Sequence, residues 1–203
     1  MKKSLFAVSV LSIAIVSGSA AAAVTTGQLN FNWQGLVPTA PVTNTAWAFV
    51  DALDMPYTPG TEQLNVVLDN TTKGLTATGV KKYDFFVVPI TGAATPGTPV
   101  TRGTTLNSVK AYLGSAPVSS GFVGNKQLTL STAAAAADGE VAITMNGTAL
   151  SVGSATSTTV PVTAGTNPEA HVVIDMNAKA ASADVIEGGA ISFTAPVVFS
   201  VDI

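Results

Sequence analysis

The last thirteen residues alternate more strictly than any other part of the chain. Ile191, Phe193, Ala195, Val197, Phe199, Val201 and Ile203 share one parity, while Ser192, Thr194, Pro196, Ser200 and Asp202 share the other, with Val198 the exception. Period two over that length means one long strand with one buried face. A chain terminus frays unless something pins it, so such a strand needs flanking partners and an apolar layer beneath it. Pro196 has no N–H to give to a ladder, and one side of the strand is therefore expected to be incompletely paired.

A second alternation lies near the other end. Gly27, Leu29, Phe31, Trp33 and Gly35 alternate with Gln28, Asn30, Asn32 and Gln34. One side is apolar and aromatic and the other is all amide, so Leu29, Phe31 and Trp33 need a groove to cover them. Two readings are open: the first strand of the domain's own sheet, or a strand donated to another molecule by β-augmentation. The second predicts that residues 24–35 have no partner strand within their own subunit.

Between the ends the chain reads as strands and turns. Residues 64–68, 83–90, 109–113, 127–130, 141–145 and 170–176 are strand-like, and Phe85 and Val87 against Phe86, Val88 and Ile90 make residues 83–90 a central strand buried on both faces. Asn146-Gly147 accepts positive φ at both central positions of a type I′ turn, predicting a hairpin between residues 141–145 and 148–152. Asp69-Asn70 marks a turn after residue 68. The Pro- and Gly-bearing stretch 91–105 reads as an exposed loop. Ala133 to Ala137 are expected to form one turn of helix, with an extended segment second, since five residues cannot hold a helix alone. Regular turns between short strands predict an all-β sandwich.

Upstream, Met1-Lys2-Lys3, an apolar run at residues 5–16 and the small residues from Ser17 to Ala23 have the order of a secretory signal peptide cut after Ala22 or Ala23. The reading is signal peptide 1–23, extension 24–35 and one domain, 36–203. Without Lys2 and Lys3 the charged residues stand at seven basic against twelve acidic, a net of −5. Lys73, Lys81, Lys82, Arg102, Lys110, Lys126 and Lys179 are scattered, which argues against a nucleic-acid partner. There is no cysteine, although an exported chain meets an oxidising compartment, and the length is enough to bury a core without one.

Catalysis has little to work with. No cysteine nucleophile and no Gly-x-Ser-x-Gly elbow occurs, and His171 is the only histidine, which excludes metal sites built on several imidazoles or on thiolates. Asp51 and Asp54 lie in a loop-like stretch with no motif around them. No enzyme and no cofactor is expected.

The two ends together resemble the chaperone–usher fimbrial subunits, and in particular their cysteine-free branches. Gly27-Gln28-Leu29-Asn30-Phe31-Asn32-Trp33-Gln34-Gly35 is similar to the glycine-bounded, alternating opening of those pilins. The stretch from Phe193 through Ala195-Pro196 to Ile203 resembles their close, and Gly189 stands fourteen residues before the end, where the family carries a glycine. Asp202 occupies the penultimate position, often aromatic in the family. The resemblance implies an immunoglobulin-like sandwich that lacks its last strand and is completed by donor-strand exchange. It implies a donor strand bearing Gly27, Leu29, Phe31 and Trp33, and an acceptor-groove strand bearing Gly189, Ile191, Phe193, Val197, Phe199, Val201 and Ile203. Its implied partners are copies of the chain or sibling pilins, a periplasmic chaperone, an outer-membrane usher and a host glycan receptor. The implied product is a surface fimbria supporting adhesion. Alternatives are a carbohydrate-binding adhesin, with Trp47, Phe49, Tyr57 and Tyr112 as candidate sugar-stacking aromatics, and a secreted matrix protein assembled without a chaperone.

Overall fold

The computed structural model describes residues 25–32 and 46–203. They form β1 (Thr25–Asn32), β2 (Trp47–Val50), β3 (Leu64–Leu68), β4 (Leu75–Gly79), β5 (Tyr83–Pro89), β6 (Ser108–Leu113) and β7 (Val118–Ser120). Then follow β8 (Thr129–Leu130), β9 (Glu140–Met145), β10 (Thr148–Ala149), β11 (Thr158–Val160), β12 (Val162–Thr163), β13 (Glu169–Ala180) and β14 (Ser192–Asp202). The only helical segments among the described residues are three single 3₁₀ turns, Val123–Asn125, Ser154–Thr156 and Ser182–Asp184.

Two sheets face each other in an immunoglobulin-like β-sandwich. The smaller has the order β1-β14-β6-β11, with β7 beside β14; the larger is built on β13, flanked by β9 and β12 and by β4 and β5, with β2 and β3 outside the latter pair. Each sheet is organised by one long alternating strand, and each long strand is matched by a neighbour that breaks in the middle. Along β13, the four residues between Thr78 and Tyr83 lie against the two between Asn177 and Ile174. Along β14, the four between Leu113 and Val118 lie against the two between Val197 and Thr194. Both breaks insert two residues, as a bulge does, and bend the flanking strand around its straight partner.

The core lies between the sheets. Phe199 of β14 meets Phe49 of β2 at 5.1 Å and Phe85 of β5 at 5.8 Å, both edge to face. The predicted double burial of residues 83–90 is present: Tyr83, Phe85 and Val87 face this core, while Val88 and Ile90 join Ala48, Val50 and Ala94 in a second cluster on the outer face. That second cluster corrects the reading of residues 91–105 as simply an exposed loop. The stretch lacks regular structure but is tied back by Gly103 N–H to Pro89 C=O (2.8 Å) and Val100 N–H to Asp54 C=O (2.8 Å), and it buries Ala94.

The type I′ hairpin is where Asn-Gly placed it, with φ of 50° at Asn146 and 80° at Gly147. The alanine run is a correction, because residues 133–137 form no helical turn. The Asn177 side chain claims their backbone instead, accepting from Ala136 N–H (2.7 Å) and donating to Ala134 C=O (2.8 Å). A tertiary hydrogen bond outweighs the small helix preference of so short a segment.

Candidate strand-exchange site

The site predicted from the two chain ends is the seat beside β14. Phe193, Ala195, Val197, Phe199 and Val201 are all fully buried, and the even-numbered positions between them are half-buried. Ile191 and Ile203 lie just outside the strand, partly buried and packed on the core. Gly189 is corrected from a strand position to a turn preceding the strand, where its N–H donates to Ile186 C=O (3.0 Å). A Cβ there would come within 3.0 Å of that oxygen, so the position suits glycine by close approach rather than by φ.

One flank of β14 is taken by β6 and β7 and the other by β1. The expectation that residues 24–35 would lack a partner strand in their own subunit is thereby corrected: Thr25–Asn32 run antiparallel to β14 and complete the sheet. The register sets Thr25 against Val201, Gly27 against Phe199, Leu29 against Val197 and Phe31 against Ala195. Gly27 and Leu29 point inward and are buried, Leu29 to 2%, whereas Thr26 and Gln28 are exposed. Burial of Leu29 contributes roughly 1.5–3 kcal/mol. Gly27 lies directly opposite Phe199 in this ladder. Trp33 lies outside the described residues.

The backbone explains why a proline is tolerated in this strand. Main-chain polar groups of an extended strand alternate between its flanks. Gly114 N–H donates to Pro196 C=O (2.9 Å) and Asn107 N–H to Asp202 C=O (2.8 Å), so even-numbered residues address the β6 flank. The odd-numbered residues therefore address β1. The incompletely paired side expected from Pro196 is the β6–β7 flank, at the break between Leu113 and Val118. Towards β1 every residue of β14 that must donate has an N–H.

The residues weighed for other chemistry are used structurally. The exposed His171 sets Nε2 2.7 Å from Asp84 Oδ1 and stacks on Phe86 at 4.8 Å. Asp51 closes its own loop, accepting from Leu53 N–H (2.8 Å) and Met55 N–H (3.0 Å). Asp54 accepts from Arg102 Nε (2.8 Å), and Arg102 Nη1 reaches Glu169 Oε2 at 2.6 Å. Partial burial works against the charge of Arg102, but its hydrogen bonds to Asp54 and Glu169 outweigh that and hold the guanidinium above its ordinary pKa. Nothing in the sequence pointed to this bridge beyond Arg102 being the only arginine. Of the aromatic residues considered for sugar stacking, Trp47 and Phe49 are core, Tyr57 stacks on Phe85 at 4.7 Å, and Tyr112 is half-buried on the outer face of the smaller sheet. They do not line a common surface.

No protein-family model matches the chain, and no solved structure matches it. Among curated proteins it is similar to the CS5 fimbrial subunit of Escherichia coli, at 65% identity over 205 aligned positions that span the whole of both chains. With that identity, an all-β sandwich and no cysteine, the chain belongs to the family of fimbrial subunits, structural proteins that associate into adhesive fibres on the bacterial surface.

Proposed function

We propose that the fibre forms by exchange of β1, with residues 25–32 of one copy filling the seat beside β14 of the next. One observation carries the reading. β1 is the first strand of the sandwich, lies at a sheet edge, and among the described residues is ladder-paired only with β14. It can leave and be replaced by an identical strand without breaking any other strand pairing, which is the condition for a low-cost swap between copies. The intrachain pairing shows that the strand fits the seat; exchange adds only that a neighbour supplies it, in an open head-to-tail series. Residues 1–23 direct export as a cleaved signal peptide. Before assembly a periplasmic chaperone covers the vacated flank of β14 with a strand of its own and holds the terminal carboxylate at Ile203, and an outer-membrane usher coordinates the replacement.

The absence of native cysteine makes the test clean. Thr26 faces Ser200 across β1 and β14 as an even-numbered, non-hydrogen-bonded pair, the closely spaced kind that accepts a disulfide. Fibres assembled from the Thr26→Cys, Ser200→Cys double variant should run as a covalent ladder on non-reducing gels, and isolated monomers as one internally bridged band. Fibres yielding only the monomer band would sink the exchange.

A further inference from the structure

We propose that Asn146 is a modification site that the fold holds shut: its deamidation is open to the unfolded chain and blocked in the folded one, because β13 claims both ends of its side-chain amide. The site lies on the larger sheet, away from the β1–β14 pairing.

Asn146-Gly147 is the only Asn-Gly step in the chain. In such a step the glycine nitrogen, unhindered by a Cβ, attacks the asparagine Cγ. The N–Cγ bond forms, the Cγ–Nδ2 bond breaks, ammonia leaves with the glycine proton, and a cyclic imide remains. Water then opens the imide at either carbonyl, giving aspartate, or isoaspartate with an extra methylene in the main chain. Asn146 and Gly147 are both exposed, so water has access. Reaction then depends on whether Cγ is free to swing onto the Gly147 nitrogen.

It is not free. The β9–β13 ladder ends with Met145 opposite Ile174, and one further rung sets Asn146 opposite Val173. Asn146 N–H donates to Val173 C=O (2.9 Å), as a strand residue would. The return bond comes from the side chain. Where a strand would offer its carbonyl, Asn146 offers Oδ1, which accepts from Val173 N–H (2.7 Å), while Nδ2 donates to His171 C=O (2.9 Å). One partner is a donor and the other an acceptor, which fixes the two ends of the amide. On that flank of β13 the next strand is β12, against Glu169 and Ala170, since β5 takes residues 170–174 on the opposite flank. The amide therefore fills the gap between β9 and β12 as a surrogate peptide group. Swinging Cγ onto Gly147 breaks both of its hydrogen bonds to β13, so reaction requires the lock to open first. Deamidation would set a carboxylate oxygen, in place of the Nδ2 donor, against the His171 carbonyl.

Mass spectrometry of the digested protein reads the amide-to-acid change at Asn146, in the folded full chain and in the same chain unfolded in urea. The folded protein should convert at least about tenfold more slowly. Raising urea below the unfolding transition should speed conversion and exchange of the Val173 amide in the same proportion, since both need the Asn146 side chain released. Asn146→Gly tests the lock itself, because Gly-Gly suits a type I′ turn and keeps the hairpin while removing the amide. Its Val173 amide should exchange at least about tenfold faster than in the unmutated chain. The amide of Thr148, which pairs with Met145 across the turn, should be unchanged. Equal conversion in folded and unfolded chains would overturn the proposal. So would slow conversion that does not follow Val173 exchange, which would place the protection in the turn's own geometry. A Val173 amide as protected in Asn146→Gly as in the unmutated chain would overturn it as well.

Discussion

The two terminal strands are neighbours in one sheet and carry the same alternation, yet they are held very differently. β14 is ladder-paired on both flanks and places five fully buried side chains in the core. Among the described residues β1 is paired on one flank, and it contributes buried Gly27 and Leu29. Alternation reports which face of a strand is covered, not how many neighbours hold it. A fibre subunit needs both kinds of strand, one that stays and one that can be given away.

The comparison breaks if removing core volume costs the same on either strand. Phe199→Ala should have the largest effect, about 3–5 kcal/mol, because the ring packs on Phe49 and Phe85 of the opposite sheet. Urea unfolding of the monomer would measure it. Leu29→Ala should cost about 2–3 kcal/mol, the lower part of the range for a buried leucine, since an edge strand can relax around the cavity. Equal losses would mean that β1 is as firmly built in as β14.

Hydrogen exchange sharpens the contrast within β14 itself. The odd-numbered amides at 195, 197, 199 and 201 address β1 and should exchange together with those of Gly27, Leu29 and Phe31. The amides at 198, 200 and 202 address β6 and should exchange at least about tenfold more slowly, by opening of the whole sandwich. Uniform protection along β14 would show that β1 does not open separately. Below this in size, Pro196→Ala should change stability by less than about 0.5 kcal/mol and leave β1 protection unaltered. A gain in β1 protection would place the proline on the wrong flank.

The smallest effect expected is that of pH. The paired residues 25–32 and 194–201 include no ionisable side chain, so β1 exchange should be insensitive to pH near neutrality. The carboxyls held below their ordinary pKa are elsewhere: Asp69 by the backbone N–H and hydroxyl of Thr72 and the N–H of Thr71, Glu140 by the N–H of Ala137 and the Ser131 hydroxyl. A depressed folded pKa stabilises above the unfolded value and is lost as pH falls through the folded one. Melting temperature should therefore decline slightly below about pH 4. A decline centred near neutrality would point to other groups.

Much was legible before any coordinates, because it rests on local periodicity. The buried parity of β14, the central strand at residues 83–90 and the Asn146-Gly147 hairpin follow from side chains alternating across a strand and from Asn-Gly accepting positive φ. The inward parity of Gly27 and Leu29 follows in the same way. The disagreements occur where a distant group intervenes. Asn177 lies far along the chain from the alanines whose backbone it holds. Arg102 joins Asp54 to Glu169 across the length of the domain, and Ala94 finds cover only because β2 and β5 present an apolar outer face.

By itself, then, the sequence determined the class of fold, the faces of its two terminal strands and the resemblance that led to a fimbrial subunit, because each is written in spacings of a few residues. Only the tertiary structure decided which edge β1 occupies, in what register, and that the gap left by Pro196 falls on the flank away from it. Pairing between residues 25–32 and 194–201 is a contact across nearly the whole chain. Its register depends on the shape of the seat that all the intervening strands build.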